Sequence, residues 1–390
     1  MSKKTWILQI TPFFSPNVGG VETHLLDLLD YLKNKNYKTT VITYQALVGD
    51  KKGLRYEKQN GNEIFRIPWF RGYWYYKTLH SSILHFLYLT PWLFIYSLNF
   101  LSQKPKVDII HAHGVNGAFA AALLKIIFKK PLIVTIHVET NFTIDNLQTK
   151  IQLWPLKMAD KVLVVTQRTK TNLERFGINK EKISVFSYWV DSNIFKKLSK
   201  NDCREKLGIS PNRQMILFVG RLTEDKGVKT IFKVAQELKD IDFYLIGSGN
   251  LKTWVEENAK KNKNIKYVGR VDNNKLPEYY NSADFLLIPS TVLRPRPTYE
   301  ESIPRVIVES LYCGLPILGT DNGGIKETIE TGQVGVVISD KISKLKQSIE
   351  KAIKNTAQRK IWSTKTLEYA QDRFGPKWAN RITNIYEEIK

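Results

Sequence analysis

The sequence predicts an α/β protein built from two parallel-sheet domains, and three observations carry the prediction. Short runs rich in β-branched and aliphatic residues alternate with longer helical stretches along most of the chain, the pattern of βαβ units. The alternation occurs twice, on either side of a polar stretch at 196–202. A chain of 390 residues, 43% of them hydrophobic, is long enough to bury a separate core in each half. The expected divisions are 1–196, 197–372 and a terminal helix at 373–390 that packs back on the first domain.

In the first half, strands are expected at 6–11, 39–43, 64–67, 108–113, 132–137, 161–165 and 183–186, with helical periodicity at 21–33, 117–128 and 169–176. In the second half, strands at 215–219, 243–246, 265–268, 285–288, 317–320 and 334–337 alternate with helices at 227–238, 251–261, 277–281 and 305–312. From 342 onward the pattern is helical, broken near Phe374-Gly-Pro, because Pro376 lacks an amide hydrogen and suits a first helical turn. The segment 83–101 has 14 apolar or aromatic residues among 19, close to the roughly 20 that cross a bilayer. Pro91 interrupts it, and His85, Ser97 and Asn99 would sit in hydrocarbon, so a buried or surface-lying helix is expected rather than a span. Just before it, Trp69-Phe-Arg-Gly-Tyr-Trp-Tyr-Tyr-Lys mixes aromatics with cations, as interfacial segments do.

The net charge is +22, and it is unevenly shared: residues 1–200 carry 28 Lys+Arg against 13 Asp+Glu, residues 201–390 carry 31 against 24. Such a first half suits an anionic lipid surface, a phosphorylated small molecule or nucleic acid, but no nucleic-acid reading motif accompanies it. Two cysteines, Cys203 and Cys313, have no metal-ligand or redox spacing. The basic N-terminus has too short an apolar run for a signal peptide, which makes a cytoplasmic location the expectation.

Ligands of open α/β sheets collect beyond the carboxyl ends of the strands, and three segments there carry chemistry. Gly19 and Gly20 lead from the first strand into a helix, so backbone amides and a positive helix end can meet an anion. Arg221 and Lys226 share the loop after the first strand of the second half and can neutralise one diphosphate. Glu301 and Glu309 stand with seven residues between them, in a loop and on the helix that follows, while Ser302 and Ile303 offer loop amides. His111, His113, His137 and His24 gather near strand ends; a zinc site is conceivable on them, but no carboxylate or Cys falls at a partnering spacing, and no metal or other cofactor is expected.

In this order, Gly19-Gly-Val-Glu-Thr-His, Asp108-Ile-Ile-His-Ala-His, Val134-Thr-Ile-His, Gly220-Arg-Leu-Thr-Glu-Asp-Lys-Gly, Tyr267-Val-Gly-Arg-Val, Glu301 to Glu309, Cys313-Gly-Leu-Pro and Gly323-Gly resemble the GT-B glycosyltransferases of retaining family 4 over nearly the whole chain. The resemblance implies two Rossmann-like α/β/α domains facing across a cleft. It implies sugar transfer from a nucleoside-diphosphate sugar, with retention and without metal, by attack on the face the leaving phosphate occupied. It assigns Arg221 and Lys226 to the diphosphate, Glu301 to the transferred sugar, Glu309 to the ribose, and Gly269, Arg270 and Val271 to the base. Gly19, Gly20, Ser302 and Ile303 would line the phosphates, His137 would touch the sugar near the reacting carbon, and His24, His111 and His113 would serve the acceptor side. The chain departs from the family at Ser187-Tyr-Trp-Val-Asp, where a Pro-Asn-Gly-Val-Asp type turn is usual, and in a longer basic loop with Arg294 and Arg296.

In this architecture the first domain takes the acceptor, and it is the more cationic half. A membrane-surface enzyme acting on a lipid-linked or glycan acceptor, peripheral on the inner face, is therefore expected. The stretch from Gly20 to Gly53-Leu-Arg-Tyr is also similar to enzymes that add N-acetylglucosamine to phosphatidylinositol. A sugar-nucleotide epimerase of the same fold, or a transferase with a soluble acceptor, are the alternatives.

Overall fold

The computed structural model describes residues 4–390 apart from 18, 48–51, 79, 141, 143–145, 292–298, 301 and 376. The chain divides into two compact units, one of residues Met1–Ser187 with Lys377–Lys390 and one of Tyr188–Pro376.

The first unit runs β1 (Trp6–Ile10), α1 (Gly20–Asn34), β2 (Lys38–Tyr44), β3 (Tyr56–Gln59), β4 (Asn62–Ile67), α2 (Tyr73–Thr78), α3 (Ser82–Gln103), β5 (Ile109–His113), α4 (Gly114–Phe128), β6 (Leu132–Ile136), α5 (Leu147–Met158), β7 (Lys161–Val164), α6 (Gln167–Arg175) and β8 (Ile183–Val185). Its eight-stranded sheet has the order β3-β4-β2-β1-β5-β6-β7-β8 and is parallel except for the β3–β4 pair. β1 lies in the middle, with Ile7 beside Thr39 on one side and Ile109 on the other. Sequence reading missed β3 although Asn60-Gly61 marks the turn: both residues take positive φ, 50° and 82°, the requirement of a tight hairpin. It also missed α2 and α5. Leu8, Ile10, Ile110, Ala112 and Val134 of the sheet pack in one core with Leu89, Leu93, Phe100 and the alanines of α4. Crossover helices α3 and α4 thus cover one face.

The second unit continues with α7 (Lys200–Lys206), β9 (Gln214–Val219), α8 (Val228–Glu237), β10 (Ile241–Ile246), α9 (Lys252–Lys261), β11 (Ile265–Gly269), α10 (Leu276–Ser282), β12 (Phe285–Ile288), α11 (Arg305–Tyr312), β13 (Ile317–Thr320), α12 (Gly324–Gly332), β14 (Gly335–Ile338), α13 (Ile342–Lys354) and α14 (Thr356–Arg373). Its sheet, β11-β10-β9-β12-β13-β14, is parallel throughout. Phe243, Leu245, Phe285 and Leu318 pack against Val228, Ile231, Phe232 and Ala235 of α8 and Leu345 and Ile349 of α13.

A final helix, α15 (Lys377–Ile389), belongs to the first unit. Ala379, Ile382, Ile385 and Tyr386 are buried, and the outer contacts are polar: Tyr31 with Asn380, Tyr37 donating to Glu387 at 2.7 Å, and Lys161 with Glu388 at 3.2 Å. The units part at Ser187–Tyr188 rather than at 196–197, because Trp189 and Phe195 are buried in the second unit: Arg305 donates to the Trp189 carbonyl and Phe195 packs edge-on against Tyr280. At the other end, Phe374 is held by its ring contact with Tyr369 and by Tyr312, so the second unit runs past 372.

The polar stretch at 196–202 is no loose linker, since α7 starts at Lys200 and is pinned to Asp284 at the start of β12. This carboxylate, 2% exposed, receives Lys200 at 2.7 Å, Arg359 at 2.9 Å and Arg204 at 3.2 Å, along with the Met215 amide at 2.8 Å. Removing one partner from such a buried network leaves uncompensated charge. Asp284→Ala is therefore expected to destabilise the second unit by about 3–5 kcal/mol, read by calorimetry as an earlier transition; an unchanged transition would show that α7 is held without it.

Candidate functional site

Each sheet has a place where consecutive crossovers part. In the first, β1 lies between β2 and β5; in the second, β9 lies between β10 and β12. Right-handed crossovers leaving toward opposite sides put their helices on opposite faces, so a crevice opens at the carboxyl ends of the two middle strands. Of the residues singled out from sequence, Gly19 and Gly20 follow β1, Arg221 and Lys226 follow β9, and Ser302, Ile303 and Glu309 follow β12.

In the second unit the loop after β9 carries Arg221 and Lys226. It is tightly wound, with the Thr223 amide donating to Arg221 and the Lys226 amide to Thr223. Gly227 closes it at φ 69°, so near the loop after β12 that an added Cβ would stand 2.0 Å from the Pro289 carbonyl oxygen. The Thr291 amide donates to the Asp225 carbonyl at 2.8 Å, tying together the loops on the two sides of the crevice. Arg221 is exposed, 3.9 Å from Asp225, while Lys226 is half-buried. Burial first, then the neighbouring Arg221, pulls the Lys226 ammonium down to about 8, with Asp225 opposing. Two cations are thus held together beside the Asp225 carboxylate, and an anion of two or more charges suits them. Thr223 Oγ1 is buried without a hydrogen-bond partner among the described residues.

Ser302 and Ile303 are buried just ahead of α11, and the start of α12 meets them: a Cβ on Gly324 would come within 2.5 Å of the Ser302 carbonyl oxygen. Two helix N-termini therefore converge on one short loop, which concentrates free amides and positive helix ends. Glu309, 4% exposed, faces inward from α11. Arg305, one turn earlier, donates to its Oε1 at 3.1 Å, and Tyr280 to its Oε2 at 2.8 Å. Burial and the adjacent carboxylate push the Tyr280 hydroxyl well up, so it stays a donor, and each Glu309 oxygen keeps a lone pair for a further hydroxyl. At the far side of the crevice, Gly269 ends β11 at φ 89° with open space beside it, followed by exposed Arg270 and half-buried Val271. Glu301, Arg294 and Arg296 lie outside the described residues.

Sequence reading missed Gly247 and Gly249. Cβ atoms on them would stand 1.8 Å from the Gly220 carbonyl oxygen and 2.4 Å from that of Leu222, so the loop after β10 supports the Arg221–Lys226 loop from behind. The signal was the pair of glycines flanking Ser248 directly after a strand.

In the first unit, Gly19 precedes α1, and the Glu22 carboxylate lies over it: an added Cβ would stand 2.4 Å from Glu22 Oε2. The acceptor-side expectation for His111 and His113 is overturned by burial, since both rings lie inside the unit with both nitrogens partnered. Gln9, at the centre of β1, organises them. His113 Nε2 donates to Gln9 Oε1 at 2.7 Å, and its Nδ1 accepts from His137 Nε2 at 3.0 Å. Gln9 Nε2 donates to the Tyr386 hydroxyl at 3.4 Å, which is hydrogen-bonded to His111 Nδ1 at 2.7 Å, and His111 Nε2 is hydrogen-bonded to the Thr135 hydroxyl at 2.7 Å. Because Gln9 Oε1 can only accept, it sets the tautomer of His113 and through it leaves His137 with its proton on Nε2 and an accepting Nδ1. His137 directly follows β6 at the carboxyl edge, one step beyond His113, which ends β5; His24 packs beneath His137, its ring centroid 5.7 Å away, against Phe186. Among the described residues no group of three His, Cys, Asp or Glu is placed to hold a metal.

Burial lowers His111 and His137 to about 3 and, with its histidine neighbours, His113 well below its usual value. All three are neutral at pH 7. Their folded values lie below the unfolded value of about 6.5, so the unfolded chain takes up protons that the folded one refuses. Stability is therefore full above about pH 6.5 and falls as pH drops. The expected loss approaches about 1.4 kcal/mol per pH unit for each histidine, measured by urea unfolding at pH 7 and pH 5; equal stability at both would contradict neutral rings.

With this geometry in view, comparison with known proteins is direct. The family described as Glycosyltransferase Family 4 matches residues 18–193, and Glycosyl transferases group 1 matches 199–368, so the two together take in most of the chain. The GPI3 subunit of phosphatidylinositol N-acetylglucosaminyltransferase from Saccharomyces cerevisiae is 24% identical over 403 residues, covering 98% of this chain and 83% of that protein. Sucrose-phosphate synthase from Thermosynechococcus elongatus superposes with a TM-score of 0.80 at 18% identity over 99% of both chains. Anabaena HepE in complex with UDP gives 0.75 at 19% identity, over 98% of this chain and all of that one. The chain belongs to the group 1 glycosyltransferases, enzymes of the GT-B fold.

Proposed function

We propose that this glycosyltransferase takes its sugar from a nucleoside diphosphate, retains the configuration at the transferred carbon, needs no metal, and delivers the sugar to a glycan or lipid-linked acceptor at the inner membrane surface. The observation that carries the donor is the Arg221–Lys226 pair, two cations held at the crevice with Lys226 pulled down to about 8. HepE was solved with UDP and with UDP-glucose, which supports a nucleotide sugar in the same fold. The acceptor reading draws support from the phosphatidylinositol named for the yeast relative and from the charge of the first half.

In this reading the bond between the sugar's anomeric carbon and the phosphate oxygen breaks, and both electrons leave with the nucleoside diphosphate. Arg221, Lys226 and the converging helix ends stabilise that charge as it develops. The acceptor hydroxyl attacks from the same face and passes its proton to the departing phosphate oxygen. Glu301 holds the sugar's hydroxyls and Glu309 the ribose, while His137 contacts the sugar. Gly269, Arg270 and Val271 meet the base.

A thermal-shift screen against UDP-, GDP- and ADP-sugars, with and without EDTA, tests the donor. At about 100 times its Kd the matching donor adds about 2.7 kcal/mol, a rise in Tm of about 5–10 °C for a unit of this size. EDTA should leave the shift unchanged and Lys226→Ala should remove it. No shift from any of them would overturn the donor assignment.

Titration of Lys226 gives a second check. The ammonium binds the diphosphate only while protonated, so donor affinity should be level below about pH 8 and fall about tenfold per unit above it. Lys226→Arg, always charged, should bind with no such dependence; a decline that persists in it would place the titrating group elsewhere.

A further inference from the structure

Helix α3 breaks the rule by which soluble helices are built. Its 22 residues, Ser82–Gln103, contain no Asp, Glu, Lys or Arg, and it is apolar on both faces. One face packs in the first unit's core through Leu89, Leu93, Phe100 and Leu101. The other recurs at helical spacing in the open: Ile83 is 50% exposed, Leu84 and Leu87 57%, Trp92 40% and Ile95 47%. A helix apolar all round is ordinarily buried on every side, and an exposed apolar stripe of this size marks a surface that something covers. The preceding segment extends it with Phe70, Trp74 and Tyr76, also exposed. It is held to α3 by the Tyr88 hydroxyl, which donates to the Phe70 carbonyl at 2.6 Å, and by an edge contact of Tyr75 with His85.

We propose that this α2–α3 face seats the enzyme on an anionic lipid surface, with α3 lying flat in the headgroup region. The inference deepens, and rests on, the reading of the protein as a transferase acting at a membrane. Spanning is excluded, because the inner face of α3 is part of the core and would have to be torn from it. Charge selects the occupant. Cations cap both ends of the stripe: Arg71, which stacks on Phe70 and Trp74, and Lys77 at one end, exposed Lys104 and Lys106 at the other. Two copies joined through this face would set cations against cations whether their helices ran parallel or antiparallel. Anionic headgroups neutralise both ends, at about 1 kcal/mol for each cation, while the apolar stripe enters the acyl boundary and Trp74, Tyr76, Trp92 and Tyr96 occupy the interface, where such rings settle. Because α2 follows the carboxyl end of β4, the α2 end of the seat lies at the same edge of the sheet as Gly19 and His137, the edge at which an acceptor would be presented, while the Lys104 end lies at the opposite edge, ahead of β5.

Sedimentation of the 390-residue chain with phosphatidylcholine vesicles containing about 30% phosphatidylglycerol, at about 150 mM salt, tests the seat against pure phosphatidylcholine. The wild type should pellet with the anionic vesicles. Leu84→Gln with Leu87→Gln, both on the outer stripe, should weaken partition about tenfold or more. Arg71→Glu with Lys77→Glu should remove the preference for the anionic vesicles. Both pairs should keep the donor-induced thermal shift of the wild type, so a failure here is separable from a failure of the donor reading. Wild-type protein that stays in the supernatant, or a Leu84/Leu87 variant that pellets as well as wild type, overturns the proposal. So does a dimer in sedimentation equilibrium that the same variant dissolves, since that would give the face to a second copy.

Discussion

The structure depends on one topological constraint: in each sheet the chain begins in the middle and must leave it in both directions. With right-handed crossovers, the two departures bury opposite faces and leave the carboxyl ends of the central strands without a helix over them. Gly19 and Gly20, Arg221 and Lys226, and Ser302, Ile303 and Glu309 sit on the loops beside this parting or on the helices entered from them. The two units treat their own openings differently. In the first, Gln9 arranges His111, His113 and His137 as neutral rings sunk in the core. In the second, Arg221 and Lys226 stand as neighbouring cations, and their repulsion is carried in the folded protein.

Lys226 carries a cost for the fold. Its folded value lies below that of a free lysine, so its charge works against folding at pH 7, a cost that begins to fall as pH rises through about 8 and ends only above the free-lysine value of about 10.4. The loop bears this because Gly227 and Gly247 allow backbone to pack on backbone at distances no side chain permits. Glu309 is the counterexample: its charge is met by Arg305 and Tyr280, which makes it a rigid acceptor.

The strands of both sheets were legible because parallel strands buried on both faces read as short aliphatic runs, and strands 285–288 and 317–320 coincide with those expected. The hairpin at Asn60-Gly61 was missed, because its strand, Tyr56–Gln59, is a polar edge without an aliphatic run. The histidines were the harder case. His111 and His113 alternate along β5 in a spacing that fits a site, and only the third dimension, with α15 laid against them from the other end of the chain, shows that they are core. The division at Ser187–Tyr188 was hidden for a related reason: Trp189 and Phe195 bind the link to the second unit through partners near 280 and 305, which no local window can see.

The return of α15 bears on how the protein is made. The second unit is one unbroken stretch, Tyr188–Pro376, whereas the first is closed by residues that leave the ribosome after all of it. Until Tyr386 arrives, His111 Nδ1 and the Gln9 amide lack the hydroxyl that joins them, and the face around Ile382 and Ile385 is open. The usual order of synthesis, N-terminal domain first, is thereby inverted at the last step: the unit begun first is finished last, and a chain that stops just after the second unit, short of α15, carries an unfinished first unit beside a complete second one, a difference that cellular proteases can read.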